Sequence, residues 1–524
     1  MRLLARATAL VLGALLLVVV VHTVLSPLYG AYRYDTSPVL AVLVVLAVAL
    51  VPLTLAVSRV APWLEARPWR RRLLVAAVLA GLFVLQLQIG WAIRVAPGWD
   101  ASMVAGIAER MALGLPDDPG QQLYVATYPN NALIVAVLHV WYGLALATGH
   151  PDLWSAGVVL VALCMTGAVA LAHLAARRLG GPVAAYLTLG LALVFVGLSP
   201  WSAVPYSDTL TMPFPALVLY LFSLERDRRG TAARAALWAA MGAATYVGYA
   251  LKPTAVFASA AAVVVALVLG ARAWRRSWRV LVASGAAVVG GVVAGALLAG
   301  QLVAWQGMEP AAGAAEQRLD VTHFLKMGAQ QGPGVHNDYF GAYREEDAAE
   351  SRATPLEDRT RANLERFGQR VADMGPLGYA RFLERKAAWT LGDGSFFAWS
   401  EGQMAVEPTP FLVSDPASVR VQRWFGLHGD RYGATFSLWQ GTWLLVLLLV
   451  AGAALPRRGT QLQAVPTMAR LSLLMLAAFL LLFEARSRYV YLYLPYFLVL
   501  AAATAAVLAP AVSRRVRDRV RPGR

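Results

Sequence analysis

The chain has a single cysteine, Cys164, among its 524 residues. One thiol excludes an intrachain disulfide framework, a zinc site built from several cysteines and an iron–sulfur cluster held by one chain. Charged residues are also scarce, at 15% against roughly 25% in soluble globular proteins, which excludes an ordinary soluble enzyme. Lysine is rarer still, since Lys252, Lys326 and Lys386 stand beside 43 arginines. Each lysine is therefore a candidate for a specific role.

Long apolar runs fill much of the chain instead, and 58% of all residues are hydrophobic. A helix needs about 20 mostly apolar residues to cross a bilayer. Twelve runs approach that length, which predicts an all-α polytopic membrane protein. The first run has a basic start like a signal peptide, but no small-residue cleavage site follows it, so we expect a membrane anchor. The predicted spans are 3–25, 38–58, 73–95, 154–176, 182–199, 208–224, 232–250, 253–271, 279–304, 436–455, 466–485 and 489–510.

Arginine is distributed unevenly between the loops that join these spans. Alternate loops, together with both chain ends, hold 26 of the 46 basic residues and 4 of the 30 acidic ones. Basic loops mark the cytoplasmic side, so we expect both termini to be cytoplasmic. The abundance of arginine, alanine and valine is typical of a GC-rich bacterial genome, which indicates the bacterial plasma membrane. The net charge of +16 is then a topology signal, and no nucleic acid partner is expected.

A thirteenth apolar run, 132–148, does not fit as a crossing, because every later loop would change sides. We predict an interfacial helix there, with His139, Trp141 and Tyr142 at the outer surface. The large loop 305–435 is predicted to be a mostly helical extracytoplasmic cap. The chain then divides into two N-terminal helices (1–72), a transmembrane core (73–304) with an external loop at 96–153, the cap (305–435), and the C-terminal helices with a basic cytoplasmic tail (436–524).

Ionisable residues gather at the predicted external ends of the spans, where they are candidates for function. Three basic and two acidic side chains at the same depth in the membrane indicate a polar cavity. Arginine binds phosphate oxygens bidentately and lysine adds a point charge, so a phosphate with an apolar tail would suit the cations. Two alternatives stay open: the cations could be membrane anchors, and the two aspartates could be helix caps. The residues are Asp100, Asp208, Lys252, Arg486 and Arg488, with Glu484 and Tyr489 beside the arginines.

A metal site in the cap is the less favoured interpretation of His323, His336 and Asp338. Their loop is irregular, so we interpret the histidines as surface residues. A divalent metal stays open as a cofactor.

Four groups of residues, in this order, resemble the GT-C superfamily of membrane glycosyltransferases, and within it the bacterial protein-mannosyltransferase-like group (glycosyltransferase family 39-like). Two spans precede the part that resembles this group, and Asp100 lacks the acidic neighbour that the family often shows. The groups are 98–102 (GWDAS) with 108–111 (AERM), 128–131 (YPNN), 323–328 (HFLKMG) with 390–394 (TLGDG), and 484–489 (EARSRY) followed by 494–495 (LP).

The resemblance implies transfer of a sugar, with inversion, from a polyprenyl-phosphate donor to a glycan, lipid or protein acceptor on the outer face of the membrane. It implies Asp100 as the general base and Lys252, Arg486 and Arg488 as ligands of the donor phosphate. Two alternatives stay open, a lipid or solute transporter and a non-catalytic cell-envelope assembly protein. Charges at one membrane face, rather than near mid-bilayer, favour the enzyme. The residues then expected to bind sugar or acceptor are Tyr128, Asn131, Tyr206, Asp208 and Tyr489.

Overall fold

A computed structural model gives the structure of the protein. Side chains are not described at 271, 274–277, 314–315 and 511–520, and His336 lies outside the described residues. The described residues are 1–28, 35–96, 98–116, 118–228, 230–271, 274–307, 314–333, 338–398, 408–453 and 464–520.

Within these ranges the regular secondary structure is helical apart from one antiparallel pair of short strands, β1 (Gln331–Gly332) and β2 (Tyr339–Phe340), and an isolated bridge between Val95 and Phe411. The helices up to residue 305 are α1 (Arg2–Leu25), α2 (Thr36–Glu65), α3 (Pro68–Ala92), α4 (Trp99–Ala112), α5 (Pro119–Thr127), α6 (Ala132–Ala147), α7 (Leu153–Ala192), α8 (Ser207–Leu210), α9 (Pro213–Glu225), α10 (Thr231–Leu251), α11 (Val256–Ala271) and α12 (Trp274–Trp305). The later helices are α13 (Ala314–Gln317), α14 (Val321–Gly328), α15 (Glu345–Ala353), α16 (Leu356–Leu391), α17 (Pro416–Phe425), α18 (Tyr432–Gly452), α19 (Ala464–Leu482), α20 (Arg488–Tyr491) and α21 (Leu494–Val520).

Nine helices in the described part of the chain are long and apolar enough to cross a membrane. The all-α, multi-span prediction is therefore confirmed, although the predicted count of about twelve is not reproduced by length and composition. The predicted span 208–224 is broken into α8 and the 13-residue α9. Neither this span nor α10 is among the nine candidate helices. The run predicted to be interfacial, 132–148, overlaps Pro129–Ala147, which is one of the nine, and its interfacial position stays a prediction.

Two of the predicted spans lie in one continuous stretch, Leu153–Gly197, which ends in a π-helical turn. Its 45 residues would extend about 68 Å as a straight helix, roughly twice the thickness of a bilayer core. Gly181 interrupts the stretch with φ 75° and ψ −170°, a conformation that favours glycine. Pro182 follows it and has no backbone N–H to donate a helical hydrogen bond. The kink therefore separates the two crossings that the sequence predicts.

Glycines bring α10 and α12 into close contact along their length. A Cβ atom at Gly242 would lie 2.3 Å from the Val288 carbonyl oxygen, and one at Gly291 would lie 2.0 Å from that of Ala239. Small residues let membrane helices approach this closely, where dispersion contacts replace the missing hydrophobic driving force.

The cap, residues 305–435, contacts the ends of several long helices. His22 near the end of α1 bonds Glu384 at 3.1 Å, and Leu412 donates its N–H to the Arg94 carbonyl, just after α3, at 2.8 Å. Lys386 reaches the end of α19. These helix ends, all predicted to be external, therefore share one end of the bundle.

Arginine–carboxylate pairs lie at the other end. Glu65 at the end of α2 pairs with Arg177 at 2.6 Å and with Arg71 at 3.2 Å, and Arg178 pairs with Asp227. Which face of the membrane each end occupies stays a prediction.

Candidate functional site

Three of the predicted site residues form a buried ion cluster at the cap end of the bundle. Lys252 Nζ pairs with Asp208 Oδ1, and Arg488 Nη1 lies 3.9 Å from Asp208 Oδ2. Asp208 has no exposed surface, and the two cations each expose 7%. The backbone explains the position of Lys252, because a residue before proline avoids the helical region, and Lys252 ends α10 with φ −153° and ψ 114°. The structure thus joins three distant stretches of sequence.

Two tyrosines line the cations of this cluster. Lys252 Nζ lies 4.4 Å and Arg488 Cζ lies 5.1 Å from the ring centroid of Tyr489. Arg488 Cζ also lies 5.5 Å from the ring of Tyr206, and the Tyr489 hydroxyl donates to Glu484 at 2.8 Å. Rings at these distances attract cations through their quadrupoles and keep water away from them. The cations are therefore fixed in a setting of low dielectric constant.

Arg486 lies between two aromatic rings instead of beside a carboxylate. Its Cζ is 4.8 Å from the ring centroid of Phe397 and 5.3 Å from that of Trp99. No hydrogen bond or ion pair joins its guanidinium to another residue that the structure describes. Trp99 exposes 60% of its surface, whereas Arg486 exposes 8%, so the exposed Trp99 ring lies between the guanidinium and the surface.

Both rings that hold Arg486 stand on strained backbone. Trp99 has φ 49° and Phe397 has φ 58°, a left-handed conformation that costs a bulky side chain on the order of 1–3 kcal/mol. Strain of this kind persists where the surrounding structure enforces it, and it is concentrated at functional sites. No motif or pattern in the sequence pointed to Phe397, and Trp99 stood only as one letter of the motif at 98–102.

Asp100 ends a chain of side-chain hydrogen bonds. Asn131 Nδ2 donates to the Tyr124 hydroxyl at 2.7 Å, and that hydroxyl donates to Asp100 Oδ1 at 2.9 Å. Burial raises the pKa of Tyr124, and the charge of Asp100 raises it further, so the phenol stays a donor. These bonds occupy Asp100 Oδ1, and no residue in the described ranges donates to Oδ2, which can therefore accept a proton.

The alternative in which the two aspartates are helix caps does not hold. Gly98 is the N-cap of α4 and Tyr206 is the N-cap of α8, and neither helix has a side-chain cap. Asp100 and Asp208 instead occupy the first turns of these helices. There the positive end of the helix dipole stabilises a carboxylate.

Tyr206 lies between the ion cluster and the Asp100 chain. Burial raises the pKa of Tyr206 well above its usual value, and the charges of Asp100 and Asp208 raise it further, against the effect of Arg488. Tyr128 connects the same region to the cap, since its ring centroid is 5.2 Å from that of Tyr124 and it shares a hydrogen bond with Tyr343. The predicted site residues therefore lie in one continuous region.

The other two lysines are structural. Lys386 has no exposed surface and donates to the carbonyls of Gly328 (2.6 Å), Leu481 (3.1 Å) and Phe483 (2.6 Å). These carbonyls lie at the ends of α14 and α19, where helices leave acceptors without partners. Lys326 bonds within the cap, to the Asp347 carbonyl at 3.0 Å and to Glu350 at 3.0 Å.

The interpretation of His323 as a surface histidine is wrong. It has no exposed surface, and its Nδ1 lies 2.9 Å from Ser351 Oγ. Burial lowers the pKa of His323 to about 4, so the ring is neutral. Among the described residues no group of three or more His, Cys, Asp or Glu side chains could hold a metal ion, and around Asp100 the neighbouring donors are a phenol and an amide.

Comparisons with known proteins give a family and a weak structural likeness. No curated protein sequence matches the chain. ArnT from Cupriavidus metallidurans bound to undecaprenyl phosphate is 16% identical, with a TM-score of 0.32 over 85% of this chain and 78% of that chain. The apo state of the same protein is 17% identical, with a TM-score of 0.30 over 86% and 80%. Scores this low do not establish a common fold.

A family model described as "Conserved hypothetical integral membrane protein" matches residues 5–507. This range spans nearly the whole chain, including every residue of the candidate site. The chain therefore belongs to this family of integral membrane proteins.

Proposed function

We propose that this protein is a membrane glycosyltransferase of the GT-C type, which moves a sugar from a polyprenyl-phosphate donor to an extracytoplasmic glycan, lipid or protein. The proposal includes a multi-pass topology in the bacterial plasma membrane with both termini in the cytoplasm. The observation that carries it is a group of three buried cations at one end of the bundle, Lys252 and Arg488 beside Asp208 and Arg486 between its two rings, near the hydrogen-bonded Asp100.

The charge of the cluster suits the donor phosphate. Three cations, less the charges of Asp208 and of Glu484, which accepts from the Tyr489 hydroxyl, leave a net charge of one positive unit. A polyprenyl-phosphate sugar is a phosphodiester with one negative charge, and the leaving polyprenyl phosphate carries nearly two at neutral pH. Fixed cations in a site of low dielectric constant stabilise that added charge as it develops in the transition state. Asp208 acts here as the counter-ion of Lys252 and Arg488, a role different from the sugar contact that the sequence analysis expects.

Asp100 acts as the general base in this mechanism. The acceptor hydroxyl attacks the anomeric carbon, its proton passes to Asp100 Oδ2, and the bond from that carbon to the phosphate oxygen breaks with its electrons remaining on the phosphate. Tyr124 holds Oδ1 at 2.9 Å and so fixes the carboxylate for proton transfer. Tyr128, Asn131, Tyr206 and Tyr489 line the space available to sugar and acceptor.

The test is transfer by the purified full-length protein in liposomes. The donor is undecaprenyl phosphate carrying a radiolabelled sugar, and a bacterial envelope extract supplies acceptors. We expect label in the acceptor fraction and release of undecaprenyl phosphate, both abolished by Asp100→Asn. Movement of intact labelled donor between the leaflets, with no release of undecaprenyl phosphate, would favour the transporter alternative.

A further inference from the structure

A buried aspartate of the cap, Asp393, lies in the loop that follows α16. It exposes 5% of its surface and accepts four hydrogen bonds. Two come from Ser395, through its N–H and its Oγ, both at 2.8 Å. The others come from the Phe397 N–H at 2.7 Å and from Ser487 Oγ at 2.6 Å. This one carboxylate therefore joins the cap to the stretch that follows α19.

The bonds from Phe397 and Ser487 connect Asp393 to the surroundings of Arg486 and Arg488. Phe397 is the residue with φ 58° whose ring lies over Arg486. Ser487 is the residue between Arg486 and Arg488, and it exposes 2%. Asp393 thus holds the backbone N–H of Phe397, whose ring faces Arg486, and the hydroxyl of the residue between the two arginines.

The loop of Asp393 is itself fixed on α18. The Gly394 N–H donates to Gln440 Oε1 at 2.7 Å, and Gln440 Nε2 donates to the Gly392 carbonyl at 2.6 Å. Trp443 Nε1 donates to the Leu391 carbonyl at 2.7 Å. A Cβ atom at Gly394 would lie 2.8 Å from the Trp439 carbonyl oxygen, so a larger residue would displace the loop.

We propose that Asp393 is a positioning residue, which holds Arg486 and Arg488 in the geometry that binds the donor phosphate. The inference rests on the proposed function. Arginine side chains are flexible, with about 2 kcal/mol of rotamer entropy. A site that orders them before the ligand arrives does not lose that entropy on binding. The carboxylate and its four donors supply this order without contacting the phosphate.

The experiment measures the affinity of the full-length protein in nanodiscs for undecaprenyl phosphate. Asp393→Asn keeps the shape but offers an amide N–H₂ to one set of donors, and we expect affinity to fall about tenfold. Ser487→Ala removes one of the four bonds and should weaken binding about threefold. Ser437→Ala is the matched control, because Ser437 is also buried but bonds the Gly433 carbonyl in its own helix. It should bind like the wild type.

A second background separates positioning from a general loss of structure. In Arg486→Ala, Asp393→Asn should weaken binding by a clearly smaller factor than in the wild type, because part of what Asp393 positions is gone. An equal factor in both backgrounds, or wild-type affinity of both Asp393→Asn and Ser487→Ala, would overturn the proposal. If the wild type itself does not bind undecaprenyl phosphate, the donor assignment under the proposed function fails, and the positioning role fails with it.

Discussion

The ion pair between Lys252 and Asp208 is a direct test of whether the cluster binds phosphate or only holds helices together. Replacing Lys252 with methionine removes the cation and keeps a side chain of similar length. Removing one partner of a buried pair typically costs about 3–5 kcal/mol, because the other charge stays buried. Arg488 Nη1 lies 3.9 Å from Asp208 Oδ2 and compensates part of that charge. We therefore expect a loss near the lower end, about 3 kcal/mol.

The double variant Asp208→Asn/Lys252→Met separates stability from binding. Asp208→Asn removes the buried charge that Lys252→Met leaves behind, but it also removes the carboxylate near Arg488, so we expect only part of the lost free energy of unfolding to return. The net charge of the cluster is unchanged, because one positive and one negative charge are removed. A loss of affinity then reports the direct contact between Lys252 and phosphate. We expect binding of undecaprenyl phosphate to weaken about tenfold, the lower end for a charged hydrogen bond.

The free energy of unfolding is measured by titration with denaturing detergent in mixed micelles, and affinity is measured in nanodiscs. Lys326→Met is the matched control, since Lys326 exposes 1% and bonds within the cap. It should destabilise the protein while the folded fraction binds donor normally. Wild-type affinity in the double variant would refute the role of Lys252 as a donor ligand and leave it as a structural residue.

The remaining predictions concern the base, the cap and the topology. Asp100→Asn should lower sugar transfer about 10²–10⁴-fold while donor affinity stays unchanged. Transfer close to the wild-type rate in this variant would assign the base elsewhere. Tyr124→Phe should lower transfer about tenfold, because the 2.9 Å hydrogen bond to the Asp100 carboxylate is lost. Burial lowers the pKa of His323 from 6.5 to about 4, so the folded state binds fewer protons than the unfolded state between these values, and the free energy of unfolding should fall as the pH drops through this range. His323→Gln should flatten that dependence in the detergent titration, and an unchanged slope would count against it. A cysteine at the exposed Ala372 on α16, in a Cys164→Ala background, should react with a membrane-impermeant thiol reagent in intact cells, and labelling only after lysis would reverse the topology.

The predicted site residues lie together because the sequence constrains depth in the membrane. A span of about 20 residues fixes which residues lie at its ends, so Asp100, Lys252 and Arg488 were expected at one face. The depth of a residue in the membrane does not determine which side chains from other helices lie next to it. The pairing of Lys252 with Asp208, and of Arg486 with Trp99 and not with a carboxylate, depends on how the helices pack.

Several residues that the sequence analysis missed or misjudged lie in the cap, whereas Tyr124, which it also missed, lies in α5. Lys386 was marked by rarity alone and Lys326 by rarity and as one letter of a motif, and neither mark distinguishes a ligand from a structural donor. His323 was expected at the surface, but α14 and α15 bury it. Asp393 was seen only as one letter of a motif, because its four donors come from its own loop and from Ser487, far along the chain.

The sequence by itself determined that the protein is an all-α, multi-span membrane protein. Apolar runs of this length lie in the bilayer, where no water can bond the backbone. A helix satisfies every backbone hydrogen bond within one segment, whatever packs around it. Only the tertiary structure decided which cations form the cluster, which tyrosine holds Asp100, and that a cap aspartate joins the two arginines. These contacts connect residues far apart in the chain, and each depends on side-chain positions that local sequence does not specify.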